Sequence, residues 1–159
     1  MNLHIVALPA DFLTRVRVRG LDDQLQAVHR YVSAEGGEPC RDALRLAMPG
    51  EEVILASYCP FTLNWPYKEF GPVFVLAHPE PQPVRRDALP IATPLESSYL
   101  QERFALRAYS HNEWILDGAL VERDAAYDTV ERFLARPDVA FVQARYPSHG
   151  CFACRIERV

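Results

Sequence analysis

The clearest chemical spacing in the chain is C-F-A-C, Cys151 to Cys154. A C-x-x-C pair serves redox exchange or supplies half of a zinc site. A redox pair works best at a helix N-terminus, where the dipole favours the thiolate. Here the flanking residues predict a strand instead. Period two would put Cys151 on one face with Ala153 and Arg155, and Cys154 on the other with Phe152 and Ile156. No second C-x-x-C and no H-x-x-x-H completes four ligands, so no metal site is expected. Cys154 reads as a small core residue, the usual fate of a buried free thiol. His149 stands two residues before Cys151. Such a pair is the minimum for thiolate nucleophilic catalysis, with the histidine as base. The reading preferred here is a turn histidine beside a packed thiol.

The run Tyr58 to Gly71 is the second concentration of chemistry. Tyr58, Phe61, Trp65, Tyr67 and Phe70 fall within it, interleaved with prolines. So many rings either plug the edge of the core or line a pocket, where amphipathic aromatics with a few polar groups recognise small ligands. Glu69 and Arg107 are the charged residues expected near such a wall. If buried, they should pair, because an isolated buried charge is costly. His78 closes the apolar run V-F-V-L-A-H and is a further candidate base or binding residue. There is no glycine-rich phosphate loop, no H-E-x-x-H, no G-x-S-x-G and no dinucleotide fingerprint.

These residues need elements to hold them. Leu3 to Leu8 predicts a first strand. Residues 12 to 20 alternate valine with arginine, which predicts a strand with one solvated face. Residues 22 to 32 fit helix or strand, and Arg41 to Ala47 a short turn or helix. Strands are predicted over Glu52 to Tyr58 and Val73 to His78. Five prolines between residues 79 and 98 predict a long surface connection. Arg103 to Tyr109 and Trp114 to Glu122 predict a strand pair, with Asp117-Gly118 either a tight turn or a bulge. The one clear helix is Ala125 to Arg136, with Asp124 as N-cap and Ala126, Val130, Phe133 and Leu134 as its apolar stripe. Val139 to Arg145 and Cys151 to Arg158 predict a terminal hairpin. The sum is an α+β fold, a mainly antiparallel sheet with helix 125–136 packed on it, in one domain over residues 1–159.

Composition sets outer limits. The 159 residues are 49% hydrophobic and carry a net charge of −4, which argues against nucleic-acid or anionic-membrane partners. Sixteen of the 17 basic residues are arginine, read as GC-rich coding rather than an arginine function. No run reaches the ~20 apolar residues of a membrane span and no secretory leader is evident. A cytoplasmic address and reduced thiols are therefore expected.

Taken together, S-Y-C-P-F-x-x-N-W-P-Y-K-E-F-G-P-V-F-V-L-A-H, the later L-R-A-Y and the terminal H-G-C-F-A-C resemble a bacterial family of uncharacterised proteins, domain of unknown function 1203. The matching positions are Ser57, Tyr58, Pro60, Phe61, Pro66, Tyr67, Glu69, Gly71, Pro72, His78, Arg107, Tyr109, Gly150 and Cys151. The chain departs from that pattern at His149, where the family has tyrosine. The resemblance implies no activity, substrate or cofactor. Three functions remain open. The first is a domain binding a small polar ligand or a partner segment through Tyr58, Tyr67, Glu69, His78, Arg107, Tyr109 and Cys151. The second is an enzyme with Cys151 as nucleophile and His149 or His78 as base. The third is a Cys/His metal protein. No cofactor is expected, and the sequence leaves self-association open.

Overall fold

A computed structural model describes residues 2–159. In chain order the elements are β1 (Leu3–Val6), α1 (Ala10–Thr14) continued by a π-helical turn (Arg15–Arg19), β2 (His29–Val32), β3 (Pro39–Cys40), β4 (Arg45–Leu46), β5 (Glu52–Tyr58) and β6 (Gly71–Leu76). A 3-10 turn (Leu95–Ser97) precedes β7 (Arg103–Tyr109) and β8 (Ile115–Glu122). Another (Arg123–Ala125) leads into α2 (Ala126–Leu134), and β9 (Phe141–Arg145) and β10 (Phe152–Arg158) close the chain. The strands form two five-stranded sheets, ordered β1-β10-β9-β7-β8 and β2-β5-β6-β3-β4. Every pairing is antiparallel except that of β3 with β6. The fold is thus α+β and mainly antiparallel, with two sheets where the sequence suggested one.

The first sheet has two unlike faces. Phe104, Leu106, Ala108, Val142, Ala144 and Ile156 pack against Val130, Phe133 and Leu134 of α2. The opposite face carries Arg107, Tyr109, Phe141, Gln143, Arg145 and Arg155, since Arg107 pairs with Gln143 and Gln143 with Arg155. The helix is the one expected, but Asp124 does not cap it with its side chain, because a 3-10 turn occupies that position. Arg136 instead clasps Asp117 and Asp138 just beyond the helix.

Several local expectations are corrected. Residues 12–19 are helical, not a strand. Phe12 and Val16, spaced i and i+4, turn one face onto the second sheet, while Val18 is left 78% exposed. That burial overrides the valine alternation, and Arg15 and Arg17 find anchors in Asp23 and Asp42. Of the two readings for Arg41 to Ala47 the turn holds: residues 41–44 turn between β3 and β4. In residues 22–32 the strand reading holds for β2. Near Asp117-Gly118 the strand continues through a bulge: Ala108 pairs with Asp117 and Tyr109 with Ile115, so Leu116 is the extra residue. The proline-rich connection lacks regular structure apart from its 3-10 turn, yet its end is core, with Tyr99 and Leu100 buried. Among the described residues no helix is long and apolar enough to cross a membrane.

Candidate functional site

The turn from Tyr146 to Cys151 is the hub. Tyr146 N–H donates to the Cys151 carbonyl and Gly150 N–H to the Tyr146 carbonyl. This closure requires Gly150 at φ 70°, a backbone that suits glycine best. A second bulge follows. Phe152 pairs with Arg145 and Cys154 with Ala144, so Ala153 is inserted between them. The bulge breaks the alternation expected of C-F-A-C. Ala153 and Cys154 both enter the α2-side core, while Phe152 shares the opposite face with Arg155 and packs on Tyr58 of the second sheet. Burial pushes the Cys154 thiol up to about 12, so it is an inert packing group at neutral pH. Cys151 precedes the bulge and stays partly open.

On one side of this turn lies a cleft of roughly 1000 Å³ between the two sheets. Its floor is apolar: Leu46, Leu55, Pro72 and Phe74 from the second sheet, facing Tyr99 and Tyr146. Its rim is polar, with Glu38, Glu102, Arg103, His149 and Cys151. Gly36 forms part of the wall, and at φ +73° an added Cβ would stand 2.5 Å from the Ala47 carbonyl oxygen. Arg41, nearly fully buried, ties the sheets together at the base of the cleft. Its Nε donates to the Phe152 carbonyl (2.9 Å) and its Nη1 to the Pro39 carbonyl (2.6 Å), with the guanidinium 5.2 Å from the Tyr146 ring centre. Tyr146 Oη donates to the Tyr99 carbonyl, and Tyr99 Oη to the Ala153 carbonyl. Burial raises both phenols, so they remain protonated donors at neutral pH.

On the other side lies a smaller hollow of about 180 Å³, which backs onto the same Pro72, His149 and Cys151. Its far wall holds Tyr58, Glu69 and Arg145. Arg145 has a side chain only 5% exposed and is ion-paired with Glu69. Its Nε and Nη2 donate to Gln143 Oε1, and its Nη1 to the Gly150 carbonyl. Glu69 also stands 4.0 Å from Arg107. The chain between β5 and β6 that delivers Glu69 is pinned at its other end. Glu113 accepts the N–H groups of Thr62 and Leu63 and the Thr62 hydroxyl. Burial would raise the Glu113 carboxyl, but these donors outweigh it and hold the group below the usual carboxylate range.

The residues singled out in the sequence therefore separate. Tyr58, Glu69 and Cys151 share the hollow, with Arg107 beside Glu69. Tyr58 serves mainly as packing between Phe12 and Phe152. Tyr109 is fully buried, stacked on Phe141 and edged by Phe61. Tyr67 is exposed on the connecting strap. His78 lies past the opposite end of β6, hydrogen-bonded to Glu52 at 3.2 Å. His149 and Cys151 do adjoin, but the thiol donates to the His149 carbonyl at 3.6 Å and no ring nitrogen of a described residue bonds the sulfur. Among the described residues no group of three or more His, Cys, Asp or Glu is placed to hold a metal ion.

Arg41, Tyr99, Gln143, Arg145 and Tyr146 were not anticipated. For Gln143 and Arg145 the signal was present in F-V-Q-A-R. A fully buried strand whose alternate residues are Phe141, Gln143 and Arg145 must put an amide and a guanidinium side by side out of water.

A family model described as a protein of unknown function (DUF1203) matches residues 37–158. No curated protein and no solved structure matches the chain.

Proposed function

The chain belongs to DUF1203, a family defined without a function, and from the site itself we propose that this protein binds a small molecule with an apolar body and a polar end in the cleft between its two sheets. The observation that carries this reading is the cleft's construction: an apolar floor from one sheet, Tyr99 and Tyr146 facing it, the buried Arg41 at its base and further polar groups around the rim. Small-ligand sites are built this way, with apolar area supplying affinity and a few convergent polar groups fixing orientation. The buried bonds of Arg41 and the Tyr99–Tyr146 pair hold the walls before any ligand arrives, which lowers the ordering cost of binding. A catalytic role for Cys151 has no support in a base, because the thiol meets a backbone carbonyl.

Thermal melting across a panel of small metabolites tests the reading. A ligand present at a hundred times its Kd adds about 2.7 kcal/mol of stability, a clear rise in Tm. Cys151→Trp, which places a ring on the cleft wall, abolishes the rise. A panel that leaves the wild-type Tm flat throughout contradicts the proposal.

A further inference from the structure

At the small hollow behind His149 and Cys151 stands a charge arrangement that packing does not explain. Two guanidinium groups, Arg107 and Arg145, share one carboxylate, that of Glu69. Arg107 meets no other carboxylate among the described residues. Arg145 is almost wholly out of water, and its remaining bonds go to the neutral acceptors Gln143 Oε1 and the Gly150 carbonyl. Gln143 is itself fully buried, and its Nε2 donates to no described residue. A buried amide donor without an acceptor is uncommon in a native fold. It stands beside an excess of positive charge, on the same sheet face as both arginines.

The carboxylate that balances this excess is less secured than Arg145, its closer partner. Glu69 is 45% exposed. It arrives on a strap without regular structure, and no backbone N–H of a described residue holds its side chain. Arg145 projects from a strand of the first sheet and is held by Gln143 and the Gly150 carbonyl, while the acceptor hangs on a connection.

We propose that the hollow is a carboxylate-binding subsite built on Arg145, with Arg107 beside it, and that Glu69 is its tethered, displaceable occupant. An incoming carboxylate takes the place of the Glu69 side chain, and Glu69 swings into water. Arginine suits this task because its planar fork matches a carboxylate in two-point contact. The inference does not depend on the cleft, since the hollow is tested alone with an anion too small to fill the cleft.

The test is titration of sodium acetate into wild-type protein and Glu69→Ala at constant ionic strength, followed by calorimetry and thermal melting, with sodium chloride as the control. A tethered competitor taxes the affinity of any external anion. Glu69→Ala is therefore expected to bind acetate at least tenfold more tightly than wild type, and to regain melting temperature as acetate is added. Adding Arg145→Met to Glu69→Ala abolishes both effects. If Glu69→Ala fails to fold, Glu69→Gln carries the same readout, because it keeps the volume and removes the charge. Equal responses to acetate and chloride, or an acetate affinity no higher than wild type, overturn the proposal. Stronger binding of inorganic phosphate than of acetate overturns its carboxylate assignment. A positive acetate result with a flat metabolite panel would separate the two readings, leaving the subsite and removing the cleft.

Discussion

The two faces of the first sheet are buried by opposite means. The face under α2 is filled by Phe104, Leu106, Ala108, Val142, Ala144 and Ile156 against Val130, Phe133 and Leu134. The face toward the second sheet and the aromatic strap buries Gln143 and Arg145, with Phe141 and Tyr109 beside them. The first arrangement needs only apolar area, at roughly 25 cal/mol per Å² removed from water. The second requires each polar group to find a partner, and Gln143 Nε2 does not. Buried ion pairs of this kind add little net stability compared with apolar residues of the same shape. The contrast teaches that one face is held by apolar area alone, while the other depends on polar pairing that is left incomplete among the described residues.

The difference can be broken by substitution. Phe133→Ala on the α2 face should cost about 3–5 kcal/mol, the usual loss for truncating a fully buried ring, read as the shift in denaturant midpoint. The strap over the polar face is weaker. Glu113→Gln, which removes a charged acceptor from Thr62 and Leu63, should cost about 1 kcal/mol at neutral pH. Its effect should depend on pH with a definite sign. The Glu113 carboxyl titrates lower in the folded chain than in the unfolded one, near ~4.3. Its stabilisation is therefore fully present above the unfolded value and lost as pH falls through the folded one. Melting of Glu113→Gln against wild type should show the two curves converging in acid. The smallest effect should come from making the polar face apolar. Arg145→Met, Gln143→Leu and Glu69→Leu together should change stability by between zero and about +1 kcal/mol, while abolishing acetate binding. A loss as large as that of Phe133→Ala would erase the contrast between the faces.

How much of this was legible in sequence follows from which signals are local. Helix α2 was readable because Ala126, Val130, Phe133 and Leu134 recur at helical spacing and Pro137 ends the run. The strand Arg103–Tyr109 was readable to its ends for the same kind of reason. Residues 12–19 misled because two periodicities overlap there, and only the second sheet decides that Phe12 and Val16 prevail over Val16 and Val18. The C-F-A-C pattern misled through a single inserted residue, Ala153, since a bulge is set by pairing with β9 rather than by local propensity. The sequence made a Glu69–Arg107 pair conditional on burial; the two stand 4.0 Å apart with both side chains partly exposed. The stronger partner, Arg145, lies on a strand 76 positions away in sequence, and only the docking of the two sheets brings it there. The dispersal of His78 and Tyr109 has the same origin: the sequence shows which residues are unusual, not which end of a strand meets which turn.

The reading of the cleft can be checked at Cys151, a partly open thiol on its wall, set against Cys154 three residues later in the core. The most direct measurement is the alkylation rate of each cysteine by iodoacetamide in folded protein, followed by mass spectrometry, with and without the panel compound that raises Tm most. The account predicts that Cys154 is silent until the chain unfolds, and that the compound slows labelling of Cys151 by at least tenfold. Labelling of Cys151 at an unchanged rate under saturating compound would place the ligand elsewhere and contradict it.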